Sequence, residues 1–465
     1  MDALTNTLSK LSERIVDFAL SLKLEHVPEE VIRHGKMLLL DTFGVALSCR
    51  DLKHAEAVRK VVQAFGSAPQ ATLWTTDAKA SIADAALYNA ALIHGADYDD
   101  THVGGIVHPS ASVVSTALSV GEYTGASGEM IMEAIVVGWE VIVRLALAAK
   151  GRFHDVGYHG TGILAPFAAV CVAAKLMAVS PKAAVNAFGI CGSQAAALQE
   201  FLHDGSWVKK IHPGWGAHSA IYALCLAKEG FSGPSEVLEG GFGLWKTHIG
   251  TTDGLEEAFS NLGTFWHTPE ITFKMYPVCH MIHSFIGCML RLRKEHAVAA
   301  EDIASMECRI EPRCYHIVCA PREQKVRPRT DYMMRFSLPY VLAVTALKHR
   351  MSPWEIDMRY AEDAEVQALM DKVQCISDEE KSHPGYFPGW LKITTTDGKS
   401  YVAEQKYELG TPQNPISMDE VIVKFDNNVD TILASEKKAK IVDAIRNFEK
   451  MTAADVSALI RQFRA

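Results

Sequence analysis

From Leu8 to about Leu262 apolar residues recur at helical spacing, with little strict alternation. VPEEVIRHGKMLLLDTFGVALSC, residues 27–49, opens on Pro28 and two acidic residues and continues apolar, which predicts a helix. SIADAALYNAALIHGA and GEMIMEAIVVGWEVIVRLALAA are apolar on nearly every side, as central helices are. GTGILAPFAAVCVAAKLM is rich in Ala and Gly, which lets helices pack closely. The first residues, MDALTNTLSKLSERIVDFALSL, predict an amphipathic helix with charges throughout.

The pattern changes after Trp266. ITFKMYPVCH leads into an apolar helix, HSFIGCMLRLRKEH. ASMECRIEPRCYHIVC alternates and is rich in β-formers, which predicts strand. FSLPYVLAVTALKHR predicts helix, and WLKITTTDGKSYVAEQKY a hairpin with Asp397-Gly398 at its turn. GTPQNPISMDEVIVKF then brings helix back to the C-terminus. The expected fold is mainly α: a large all-α helical domain of residues 1–267 plus 409–465, interrupted by a smaller α+β domain of residues 268–408. Neither repeats nor low-complexity segments occur.

The 465 residues, 48% hydrophobic and 22% charged, exceed what one compact core holds, which agrees with two domains. A net charge of −9 gives no general attraction to nucleic acid or to an anionic membrane. No apolar run reaches the roughly 18 residues that span a bilayer, and the first residues lack the basic-then-apolar order of a secretory leader. Ten Cys with no CxxC spacing read as reduced core thiols of a cytoplasmic protein, not as disulfides or a zinc or iron–sulfur site.

Four stretches gather charge, His and Gly between apolar helices: HGADYDDTHVGGIVHPSAS (94–112), GRFHDVGYHGTG (151–162), GSWVKKIHPGWGAHSA (205–220) and FKMYPVCHMIHSF (273–285). Such loops deliver side chains from a rigid scaffold. The first stretch admits three readings. Asp97, Asp99, Asp100, His102 and His108 could hold a metal, although their spacing matches no metal motif. They could be solvated acids, with Asp99 or Asp100 capping the next helix. They could do acid/base work. Lys209, Lys210, His212, His218, Lys274, His280 and His283 favour the third reading. An acidic protein that collects cations and proton carriers in a few loops is built to hold a small anion. Taken singly, Lys210 reads as a solvated surface Lys and His212 as a local cap. GYHGTG lacks the strand that a dinucleotide turn follows, and no P-loop or GxSxG elbow is present. Gly104 and Gly105 are expected to turn the chain and bring His108 back toward the pocket.

Together these stretches resemble the MmgE/PrpD family, whose members include 2-methylcitrate dehydratases, cis-aconitate decarboxylases and an iminodisuccinate epimerase. LLLDTFGVAL, HGADYDDTH, HPSASVVSTALSVGE, GYHGTGILAPFAAV, KKIHPGWGAHSAIYALCLAKEGFSGPSEVLEGGFG, KMYPVCHMIHSF, FSLPY and GTPQNPIS match in kind and order, over nearly the whole chain. The resemblance implies a pocket between the helical domain and an α+β lid, a homodimer, and neither metal nor organic cofactor. It implies a small polycarboxylate as substrate. It places Asp97, Thr101 and His108 on the pocket wall, with His159, Lys209, Lys274 and His283 at matching positions. The catalytic set expected from it is His159, Asp97, Lys209 and His108. Thr101, Lys274, His280, His283, Tyr315 and Lys210 are expected to bind substrate. In some members a His stands where this chain has Cys279, and here the nearest His is His280. Dehydration of a 2-methylcitrate or citrate kind, decarboxylation of cis-aconitate, epimerisation of an imino- or amino-dicarboxylate and non-catalytic carboxylate binding all stay open. His102, His154 and His203 read as surface or capping residues, and Asp99 and Asp100 as structural ones.

Overall fold

The computed structural model describes residues 10–383 and 385–464. The start of the expected N-terminal helix, residues 1–9, lies outside the described residues. The rest of it forms α1 (Leu11–Ser21). The principal helices that follow are α2 (Glu29–Ser48), α3 (Ile82–His94), α4 (Ser110–Thr124), α5 (Gly128–Ala149), α6 (Gly160–Leu176) and α7 (His212–Lys228). Next come α8 (His283–His296), α9 (Leu338–Lys348) and α10 (Met418–Val429). The protein is mainly α, as its periodicity predicts. Caps fix several starts: Ser81 accepts from the Asp84 N–H before α3, Ser127 from Met130 before α5, and Ser337 from Tyr340 before α9.

Two hydrophobic cores form. One runs from Leu11 to Phe273 and resumes from Ile416 to Phe463. It buries α3, α4, α5 and α6 on almost every side, which explains their lack of a polar face. The other collects residues 278–403 and Phe201. The returning α10 is tied to the first core by an ion pair. Lys424 Nζ lies 2.6 Å from Asp41 Oδ1, and both side chains are buried. The same ammonium sits 3.9 Å from the centre of the Tyr98 ring.

The second core is built on a four-stranded sheet of β1 (Ile303–Ile310), β2 (Val373–Ser377), β3 (Gly389–Thr395) and β4 (Ser400–Gln405), in the order β2-β1-β3-β4. β1 and β2 are parallel, and β1–β3 and β3–β4 antiparallel. Inward residues of β1 and β3 (Met306, Cys308, Leu391, Ile393) pack with Phe285, Met289 and Val341 of α8 and α9. The expected hairpin is β3–β4, with Gly398 at φ +84° in its turn. ECRIEPRCYHIVC departs from the expectation. Its first part is β1, but Pro312–Val318 is helix. Glu311 accepts from the Cys314 N–H and Pro312 occupies the first turn, so local cap chemistry overrides the β-former composition.

All ten cysteines are free thiols. No described helix is long and apolar enough to cross a membrane.

Candidate active site

The HGADYDDTH stretch leaves the end of α3 and runs through the interior. At Gly95 a Cβ would fall 2.0 Å from His54 Nε2, so a side chain there would need His54 to move. Asp97 takes φ +50°, a left-handed conformation that non-Gly residues seldom adopt. Beyond it, Thr101 and Thr272 exchange backbone hydrogen bonds of 2.9 and 2.8 Å. This single bridge carries the 272–283 segment alongside, and with it Lys274.

Asp97 is the hub. Lys209 Nζ donates to its Oδ1 at 2.5 Å, and Lys274 Nζ lies 3.2 Å from the same oxygen. Lys274 also donates to the Asp97 carbonyl at 3.0 Å. All three side chains are buried. Burial pushes the Asp97 carboxyl up, but Lys209, Lys274 and His108 overcome it and hold the group well below its usual range. Asp97 Oδ2 is buried and accepts no hydrogen bond among the described residues.

Histidines surround this hub. His108 donates from Nδ1 to the Asp100 carbonyl at 2.9 Å, near Thr101 Oγ1 at 3.1 Å, and its backbone N–H donates to Thr161 Oγ1. His159 immediately precedes α6 and lies 6.1 Å from the His108 ring and 5.7 Å from His94, centre to centre. Its Nδ1 meets His212 Nδ1 at 3.1 Å. His94 in turn is held by Asp99 at 2.7 Å. Burial, followed by the Lys209 charge, holds His159 well below its ordinary value, and burial with Lys274 does the same to His108. Both rings are therefore neutral at working pH. α6, α7 and α8 begin at or next to His159, His212 and His283 of this cluster.

The second core supplies the opposite wall. His280 is buried, and neither ring nitrogen has a partner among the described residues. Burial, then His283 and Lys274, holds it neutral. His283 bonds the Val278 carbonyl at 3.2 Å through Nε2 and is held down to about 3, chiefly by burial. Arg335 clamps the two walls together, donating to Ala96 O and Pro277 O at 2.6 Å each.

Of the expected site residues, Asp97, Thr101, His108, His159, Lys209, Lys274, His280 and His283 are gathered here. Lys210 is not in this group. It pairs with Asp331 at 3.0 Å, between the rings of Trp207 and Tyr332. Lys209 and Lys210 share a 3-10 turn (Trp207–Ile211), in which successive side chains diverge by about 120°. Tyr315 is half-buried against the second core, and no described contact links it to Asp97. Asp100 caps α4, accepting from the Ser110 N–H and hydroxyl, and burial raises its carboxyl to about 8. The left-handed residue of the next turn is Ile106, not either glycine. Gly105 is needed because a Cβ there would fall 2.8 Å from Ala146 Cβ.

His94, Tyr332 and Arg335 were missed by sequence reasoning. His94 reads as an ordinary helix end, and the other two act across long sequence separations. The Tyr332 hydroxyl is buried without a partner among the described residues and is raised well above its usual value, first by burial and then by Asp97. His203 is exposed as expected, and His154 is half-buried beside His159. His102, expected as a surface or capping residue, is buried and caps its turn, its Nδ1 accepting from the Gly105 N–H.

His102, His267 and Glu270 form the one described group with donors close enough for a metal. Their hydrogen bonds argue against one. Gly105 N–H donates to His102 Nδ1 at 3.0 Å, so the ring proton sits on Nε2, which faces Glu270 at 3.3 Å. A metal-ligating imidazole needs the reverse arrangement, with a lone pair toward the metal and N–H toward its other neighbour.

Several buried imidazoles are held neutral, including His34 at about 4 and His54, His212 and His283 at about 3, each chiefly by burial. The unfolded chain binds these protons and the folded chain does not. The contribution of these imidazoles to stability is therefore full above about pH 6.5 and falls as the pH drops toward 4, by up to about 1.4 kcal/mol per pH unit for each such group. The fewer raised acids, Asp100 at about 8 and Glu408 at about 7, act in the opposite sense. Urea denaturation at a series of pH values measures this. A free energy flat from pH 7 to 4.5 would refute it.

Residues 13–255 match the family described as the MmgE/PrpD N-terminal domain, and residues 276–450 its C-terminal domain. Among curated proteins the chain is similar to a cis-aconitate decarboxylase-like protein of Aspergillus oryzae, at 24% identity over 97% of this chain and 96% of that protein. It is also similar to the cis-aconitate decarboxylase of Aspergillus terreus, at 23% over 98% and 96%. A third relative is the human cis-aconitate decarboxylase, at 23% over 96% and 93%.

Proposed function

The chain belongs to the MmgE/PrpD family, and from that premise we propose that it is a cofactor-independent lyase for a small di- or tricarboxylate, in the first instance a decarboxylase of a cis-aconitate-like acid. The observation that carries this reading is Asp97 held by two buried ammonium groups and ringed by neutral imidazoles. Lys209 and Lys274 supply two buried cations at one carboxylate, Asp97, while the nearby Asp99 is engaged by His94. Substrate carboxylates dock against Lys209 and Lys274, with Thr101 and His108 orienting them. One carboxylate leaves as CO₂. Its electron pair moves through the adjoining double bond toward a second carboxylate, where the lysines stabilise the charge. His159 then donates a proton to carbon, so one proton is consumed for each CO₂ released. Names of relatives that align end to end support this choice of reaction.

A second reading, dehydration of a 2-methylcitrate-like acid, draws on His280. Its two ring nitrogens are buried without a partner among the described residues, and Lys274, His108 and Asp97 are near enough to act on its charge, so with His159 it could serve as base and acid. The two cores support a two-domain division, residues 1–267 with 409–465 against 268–408, in which the smaller domain is a lid.

Mass spectrometry of products from cis-aconitate, citrate, 2-methylcitrate and iminodisuccinate tests these readings. Loss of CO₂ from cis-aconitate is expected, at a rate unchanged by chelator. Loss of water instead selects the second reading. Turnover of none of the four acids would remove the lyase assignment for these substrates, and activity lost to chelator and regained with metal would remove cofactor independence.

We also propose a homodimer. Tyr222, Leu226 and Phe231 form an exposed apolar run along and beyond α7, of the kind covered by a second copy. Sedimentation is expected to give twice the 51.0 kDa chain mass, and Tyr222→Asp with Leu226→Asp the chain mass itself. A wild-type monomer at micromolar concentration would contradict it.

A further inference from the structure

His212 makes no hydrogen bond to Asp97 among the described residues; its partner is His159, and the two Nδ1 atoms are 3.1 Å apart. The ring of Phe201 walls both, at 6.1 and 6.0 Å. On its far side His212 lines an open, mainly apolar cavity of about 470 Å³, together with Gly162, Ala197, Leu198, Ile211 and Trp215. At Gly162 a Cβ would come within 3.0 Å of His212 Cβ and 2.4 Å of Ala197 Cβ, so the glycine lets this ring approach α6.

Two neutral rings this close must share one hydrogen, with one Nδ1–H donating to the lone pair of the other. We propose that His212 is a proton relay, taking protons from water in this second cavity and passing them to His159. The idea rests on the lyase reading above. In the starting state His212 carries its hydrogen on Nδ1 and His159 carries its own on Nε2. A water-derived proton adds to His212 Nε2 as the Nδ1 hydrogen moves to His159 Nδ1. His159 then gives its Nε2 hydrogen to the substrate carbanion. Each ring ends neutral with one hydrogen, now on its other nitrogen, and one proton has crossed from cavity to substrate. The starting tautomers return when the site opens to release product, as water protonates His159 Nε2, its Nδ1 hydrogen moves back to His212 Nδ1 and His212 Nε2 returns a proton to cavity water. Such a route suits a site closed from water, because neither imidazole has to store a charge between turnovers. His212 touches no substrate and acts only through His159.

The test uses His212→Ala and His212→Phe in the full chain, with the acid that wild type turns over. Both are expected to lower kcat by about tenfold or more at unchanged KM. Added imidazole is expected to restore the Ala variant, whose missing ring leaves room beside the cavity, and not the Phe variant, which fills it. A kcat within about twofold of wild type in either variant, or equal response of both to imidazole, overturns the relay. Nitrogen-15 spectra of histidine-labelled wild type need no substrate. One N–H correlated with Nδ1 of both rings is expected, and its absence overturns the relay. A chain that turns over none of the acids removes the substrate reading and leaves these spectra to decide.

Discussion

Asp97→Asn is expected to destabilise the fold by about 3–5 kcal/mol and to lower turnover by about 10²–10³-fold or more. The carboxylate is the common partner of Lys209 and Lys274, both buried. An amide keeps the shape but leaves two interior cations without a counter-charge, and removing one partner of a buried pair costs far more than the pair itself contributes. The same reasoning gives a second signature. A tricarboxylate in the site replaces the missing charge, so citrate should raise the melting temperature of the variant more than that of wild type. Urea denaturation and thermal shift with and without citrate check both. An Asn variant within about 1 kcal/mol of wild type would show that the lysines are compensated elsewhere.

His159→Ala is expected to lower kcat by about 10²–10⁴-fold, with KM changed only a few-fold and the fold kept. The ring is neutral and sits where the openings of α4, α6 and α7 meet, within 6.1 Å of His108 and 5.2 Å of His212. On the proposed reading it contributes a proton and not a charge, so substrate docking on the lysines is expected to survive its loss. His159→Gln separates the effects, because an amide can hydrogen-bond but cannot titrate. Steady-state kinetics beside circular dichroism decide the matter. A variant that keeps more than about a tenth of its rate would place the proton donor elsewhere, with His280 next in line.

Much of this arrangement was legible along the chain because its signals are local. Runs such as IADAALYNAALIH lack a polar face, so they predict interior helices, and they are buried on all sides. Asp97, His108, His159 and Lys274 sit in short polar loops between such runs, where function concentrates. What stayed hidden depends on phase or distance. Nothing in KK says which ammonium meets Asp97. Both are buried, Lys210 too against the expectation of a solvated surface Lys, and the 3-10 turn sends Lys209 to Asp97 and Lys210 to Asp331. The clamp made by Arg335 is invisible in FSLPY, because its partner Ala96 lies 239 residues away. A helix after Glu311-Pro312 was signalled by the cap residues, but the alternating composition around them pointed the other way.

The bonds that define the site also set the order in which the chain can make it. Asp97 meets Lys209 across 112 positions and Lys274 across 177, and the Lys424 that steadies Tyr98 comes 326 positions after it. Contacts of such sequence separation close late, after the local helices have formed. During synthesis the acidic loop therefore waits, with its carboxylate unpaired, until the second lysine has left the ribosome. A fragment ending before residue 274 would hold most of the large core and one ammonium, yet no complete pocket. On the proposed reading, a polycarboxylate that binds only a chain with every one of these loops closed is expected to act as a folding aid.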